Sequence, residues 1–189
     1  MDAHTCARGG AMKAYWFGGD TLPHGDGRKV EVGITHTVEP PIVPCHHGLH
    51  ASVHPADAME YATTATLWLV DLGGEILEHG GDKIAASERT YLARIDATEL
   101  LRAHARWCAS QVLDLWDAPD VVRQYLATGE ESLRDASGAA AWASRAAAGV
   151  AWAAGAAAGV AQRNRLLALV EAAFAGAVEE HRSSAEVSR

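Results

Sequence analysis

Apolar residues recur with a period of two over the first half of the chain and about 3.6 over the second, and the change falls at Asp96. Residues 13–17 (KAYWF) read as a strand ended by Gly18-Gly19. Residues 20–27 are turn-rich, with Pro23, and 29–32 alternate into a second strand. Glu39-Pro40-Pro41 and Pro44 break the chain again. From 48 to 54 (GLHASVH), Leu49, Ala51 and Val53 fall on one face and His50, Ser52 and His54 on the other. Pro55 opens a short helix to about residue 62. Residues 66–72 (TLWLVDL) are the clearest buried strand, closed by Gly73-Gly74, and 83–86 and 90–95 are the last strands expected.

Beyond Asp96, Leu100, Leu101, His104, Trp107, Cys108, Val112 and Leu115 line one helical stripe, which Asp117-Ala118-Pro119 ends. A second helix is expected over 119–127, and Thr128 with Glu131 has the form of a capping box for a third. Over 136–161 more than half of the residues are alanine, the segment AAAGVA occurs twice, and Trp142 and Trp152 recur at the same offset. Alanine favours a helix. Gly155 and Gly159 form a small-xxx-small pair that lets another helix come near. That helix is therefore expected to pack closely, within the chain or across a homodimer, through Trp142, Val150, Trp152 and Val160. The fold class expected is α+β: a small, mostly antiparallel sheet with one short helix over 12–96, then an alanine-rich helical region over 97–181. Residues 1–11 are expected as a flexible extension and 182–189 as a disordered tail.

Composition narrows this picture. The chain has 189 residues, 49% of them hydrophobic, with a net charge of -8. Such a chain is neither disordered nor suited to wrapping a phosphate backbone, so no direct nucleic-acid binding is expected. Its charge suits either solubility or the covering of a basic protein surface. Cys6, Cys45 and Cys108 are scattered and odd in number, which points to a reducing, cytoplasmic compartment. The start carries no basic-then-apolar leader. The apolar run at 146–161 is shorter than the roughly 20 residues a bilayer needs, so no membrane span is expected.

The densest set of potential ligands is Cys45-His46-His47-Gly48-Leu49-His50, with His54 beyond. Cys45, His47 and His50 are the candidate metal ligands, because zinc takes three or four converging nitrogen or sulfur atoms. The competing reading is of hydrogen-bonded loop histidines. His50 and His54 lie two pleats apart and the spacing fits no standard zinc module, so the expectation is no metal and no cofactor. His50 and Ser52 form a dyad on one strand face that suits hydrogen bonding to a ribose or amide, or a satisfied polar face. Asp82, Lys83, Glu88 and Arg89 flank an apolar stretch, as cleft-lining charges or as solvated strand ends. Walker A, GxGxxG, HExxH and Ser-His-Asp signatures are absent.

The order MKAYWF, GDGR (25–28), PCHHGLHAS (44–52), DAMEYA (57–62), TLWLVDLGGEI (66–76) and DKIAASERTYLARIDATELL (82–101), with an alanine- and tryptophan-rich helical tail, resembles a family of uncharacterised phage and prophage proteins. The resemblance implies a bacterial host and no particular activity. A shorter stretch is similar to ADP-ribosyltransferase-like domains: Gly-Leu-His-Ala-Ser at 48–52, a short helix with Asp57-Ala58, then a Val/Leu strand. That likeness implies NAD as ligand, the His50/Ser52 face as its site, and Glu88, by position, as the catalytic acid. The leading expectation is a phage accessory protein that binds a host protein, in concrete form a counter-defence, anti-CRISPR-like inhibitor. An NAD-using transferase and a structural, oligomerising protein are the alternatives.

Overall fold

A computed structural model describes residues 12–144 and 155–187. By compactness the chain divides into two units. One comprises the residues up to Thr98 together with those from Leu167 on, and the other is Glu99–Leu166.

The first unit is an antiparallel sheet in the order β1 (Met12–Phe17), β4 (Thr66–His79), β5 (Lys83–Asp96), β2 (Thr35–Thr37), with β3 (Leu49–Ala51) also paired to β5. This is the α+β fold expected. Strand β1, Met12–Phe17, alternates by parity: Ala14 and Trp16 belong to the core around Trp68, while Tyr15 and Phe17 face the other way and are buried as well. Burial on both faces explains why Ala14–Phe17 is apolar without a break. Part of the second cover comes from the helix α5, Gly155–Val187, whose Phe174 ring lies 6.2 Å from that of Tyr15.

Strands β4, Thr66–His79, and β5, Lys83–Asp96, form one long hairpin turned at Gly80 and Gly81, both with positive φ. Here the structure departs from expectation twice. Gly73-Gly74 does not close β4; the strand passes through a register irregularity between Gly73 and Ile76. Gly74 adopts φ 69°, and the Ser87 hydroxyl accepts the Glu75 N–H at 2.9 Å, so the irregularity is satisfied within the hairpin. Residues 83–86 and 90–95 are likewise one strand, because Arg89, read as a break, turns inward.

The second strand is Thr35–Thr37 (β2) rather than 29–32. Residues 29–32 form the isolated Thr21–Lys29 bridge and place Val30 in the core rather than pairing as a strand. Strand β3, Leu49–Ala51, runs beside β5, and Ser52 then bridges Tyr15 with backbone hydrogen bonds of 2.8 and 3.0 Å. The sheet therefore curls until the end of β3 meets the free edge of β1. Helix α1, Pro55–Met59, ends earlier than expected and is capped by His54, whose Nδ1 accepts the Ala56 N–H.

The second unit is helical: α2 Thr98–Ser110, which enters from the first unit, α3 Asp120–Thr128 and α4 Arg134–Ser144, with 3-10 turns at Leu113–Leu115 and Glu131–Leu133. The α2 stripe ends at Ser110, before Asp117. Thr128 closes α3 rather than opening another helix: its hydroxyl donates to the Gln124 carbonyl and accepts the Glu130 N–H, and Gly129 takes the left-handed cap at φ 69°. Arg165 lies 4.5 Å from the centre of the Trp107 ring.

Within the chain, the described residues show no close approach at Gly159. A Cβ built there meets nothing within 4 Å among the described residues, and Val160 is 62% exposed. Trp142, Val150 and Trp152 lie outside the residues whose side chains are described, as does the expected extension over 1–11. Helix α5 continues to Val187, into the stretch expected as a disordered tail. No helix among the described residues is long and apolar enough to cross a membrane.

Candidate functional site

Inside the curled sheet sits a charge that the apolar pattern does not announce. Arg89 lies opposite His36 of β2 and Leu72 of β4, and only 2% of it is exposed. Its Nη1 donates to the His50 carbonyl at 2.6 Å, and its Nε and Nη2 donate to the Tyr91 hydroxyl at 3.1 and 2.8 Å. The guanidinium carbon is 4.1 Å from the centre of the Trp16 ring and 5.1 Å from that of Tyr91. Among the described residues no carboxylate pairs with it; two π faces and neutral oxygens compensate the cation. Burial pushes the Arg89 pKa down.

The network continues through one proton arrangement. With both lone pairs of Tyr91 Oη taken by Arg89, its O–H must donate to His36 Nδ1, 3.1 Å away. His36 then carries its single proton on Nε2. Burial, then the charges of Arg28 and Arg89, hold the His36 pKa below its ordinary value. Burial likewise raises that of Tyr91. At the outer end Arg28 donates to the Thr37 carbonyl and grips Asp26 at 2.7 and 2.8 Å, which holds the Asp26 carboxyl down at about 2. One chain of polar contacts thus joins the 26–29 turn, β2, β5 and β3.

The residues singled out in the sequence are placed apart from this centre or serve it through the backbone. His50 supplies its carbonyl to Arg89, while its Nε2 accepts the Cys45 N–H at 3.0 Å. Burial, followed by the charges of Lys83, Arg89 and His24, lowers the His50 pKa to about 4. Ser52 is buried at the bridge to Tyr15, and Glu88 is exposed beside Gly73. No hydrogen bond joins His50, Ser52 and Glu88. The candidate metal ligands take separate partners: Cys45 Sγ is 3.8 Å from Lys83 Nζ, and the His47 ring bonds the Glu39 carbonyl at 2.7 Å. Among the described residues no three His, Cys, Asp or Glu side chains are placed to hold one metal ion.

His50→Ala is expected to cost about 1 kcal/mol through the lost loop hydrogen bond, read as a small fall in Tm at pH 7.5. Since the folded imidazole titrates near 4, below its unfolded value of about 6.5, its stabilising effect is complete above the unfolded value. It fades as pH falls towards 4, by more than the lost hydrogen bond is worth, so the wild-type and variant curves should converge and then cross in acid.

A second feature lies on the surface. Val53, Met59 and Tyr61 are 58%, 42% and 45% exposed. The Tyr61 hydroxyl donates to Asp82, Lys83 Nζ lies 3.6 Å from the ring centre, and the Asp82 hydrogen bond lifts the Tyr61 pKa to about 12. Glu60 adds negative charge beside the same ring. Elsewhere a shallow groove is lined by Val32, Leu92, Ala93, Arg94, Ala177 and Val178, and its one charged residue, Arg94, is ion-paired with Asp20.

These features define an α+β domain with a curled sheet around an arginine–tyrosine–histidine network. Residues 23–103, less than half of the chain, match a family model described as Domain of unknown function (DUF7666). The matched stretch holds Arg28, His36, His50, Arg89 and Tyr91, along with five of the quoted motif segments, and leaves out β1 with Trp16. No curated protein and no solved structure matches the chain.

Proposed function

We propose that the protein is a binding protein, a phage or prophage accessory factor that docks on a host protein, with counter-defence inhibition as its concrete role. The observation that supports this reading is the surface around α1: Val53, Met59 and Tyr61 exposed within nine residues, edged by the negative charges of Glu60 and Asp82, with the Lys83 ammonium over the Tyr61 ring. Exposed tyrosine and methionine side chains are typical anchors of protein interfaces. The acidic edge and the net charge of -8 fit a partner with a basic surface. The transferase alternative, with NAD on the His50/Ser52 face, is less favoured because the His50 imidazole is already engaged by Cys45 and Ser52 is buried.

The test compares the full chain with a Met59→Asp/Tyr61→Ala double variant as bait in host extract. A partner retained by the wild type is then titrated against both purified proteins. The double variant is expected to weaken its Kd by about 30-fold or more, as loss of a central aromatic anchor does, while Tm falls only slightly, because the Tyr61 contacts it loses, to Asp82 and Lys83, are at the surface. Equal affinity of the two proteins would refute the surface. Incorporation of labelled NAD into host protein would replace the binding reading with the transferase one.

A further inference from the structure

The Arg89 network tolerates one proton arrangement, and a single added proton breaks it. The phenol oxygen of Tyr91 has two lone pairs, both given to Arg89, and its own proton goes to His36 Nδ1. A doubly protonated His36 has no acceptor left. Its Nδ1–H would face Tyr91 Oη as a third donor, while the Tyr91 proton would lose its place. The charges facing His36 make matters worse. Arg89 stands across from it on β5, and Arg28 approaches from the 26–29 turn. The nearest carboxylate, Asp26, is already held by Arg28 in a two-point ion pair. Two buried cations, His36 and Arg89, would then face each other with the half-exposed Arg28 beside them and one exposed anion. The segment that can yield is β2, three residues long and paired on one side only, whereas β5 stays held by β4 and β3.

We propose that His36 is an acid-sensitive latch: a second ring proton forces His36 from Tyr91 and releases β2, with the 28–34 segment before it, from β5. Release uncovers Arg89 and Tyr91 and leaves the β4–β5 hairpin paired. The direction follows from linkage. His36 binds its proton less readily folded than unfolded. The latch is therefore fully closed above the unfolded value of about 6.5 and weakens as pH falls from there towards the folded value.

Amide hydrogen exchange on the full chain reads this locally, which matters because His50 and His104 also titrate low. The reporters are the N–H groups of Gly33, Tyr91 and Val38, which bond the carbonyls of Tyr91, Ile34 and Ser87. Tyr15 and Ser52, at the opposite edge, are the controls. Below pH 6.5 protection of the reporters is expected to fall about tenfold per pH unit while that of the controls holds. His36→Gln keeps an acceptor for Tyr91 without a titrating group, and its reporters should lose this slope. The same slope in His36→Gln, or equal slopes at reporters and controls, overturns the latch. Ring nitrogen NMR of the wild type gives an answer that needs no variant. A proton on Nε2 at pH 7.5 with a titration midpoint below 6.5 agrees with the latch, and a proton on Nδ1 rejects it.

Discussion

An Arg89→Ala protein is expected to be about 3–5 kcal/mol less stable than the wild type, enough to leave a domain of ordinary stability close to unfolding. Two buried oxygens, the His50 carbonyl and the Tyr91 hydroxyl, lose their donors at about 1–3 kcal/mol each. A cavity opens under Trp16, whose ring the guanidinium now fills at 4.1 Å. Against these stands relief from desolvating a cation, which Arg89→Met isolates by keeping the volume and discarding the charge. Urea midpoints at pH 7.5 give the comparison. The alanine variant should fall furthest, methionine should recover part of the loss, and an alanine variant as stable as the wild type would strip the network of its structural role.

Trp68→Ala should lose a similar amount, about 3–5 kcal/mol. Trp68 is 1% exposed, with its ring centre 5.4 Å from that of Tyr91 and its indole N–H donated to the Gly18 carbonyl at 3.0 Å. Trp68→Phe keeps most of the packing and orphans that carbonyl, so a loss of about 1–2 kcal/mol is expected. The denaturant midpoint shows the ordering. A phenylalanine variant as damaged as the alanine one would mean that the hydrogen bond, rather than the ring, is what the core needs.

The apolar strands were legible because burial leaves a direct trace. KAYWF and TLWLVDL stand where expected, and α2 follows its stripe from Leu100 to Cys108. The failures share a cause, which is polar residues placed inside. Strand β2 is Thr-His-Thr and offers no apolar residue to a periodicity argument, yet its middle residue, His36, is buried against Tyr91. Ser87-Glu88-Arg89 read as a gap between two strands because charged residues are rarely fully buried without an ionic partner. The one hint was the i, i+2 spacing of Arg89 and Tyr91, which puts both on one strand face, and breaking the strand at Thr90 hid it. In the site, His50 was singled out for its side chain, but the atom that meets Arg89 is its carbonyl. No side-chain reasoning reaches a backbone acceptor. Gly73-Gly74 misled in the ordinary way, since a glycine pair signals a turn and a strand irregularity alike.

The Tyr15–Ser52 bridge has a consequence for how this molecule meets others. An open sheet advertises unpaired backbone groups along its borders, and such borders recruit foreign strands into ladders, the common route to aggregates. Here one border is turned back upon β3 and the other ends in a strand of three residues bearing two threonines and a histidine. The outer side of β4 beyond Leu72, which β1 does not reach, is the longest backbone border left to a newcomer among the described residues. At the two blunted borders association falls to side chains, where single substitutions can tune it.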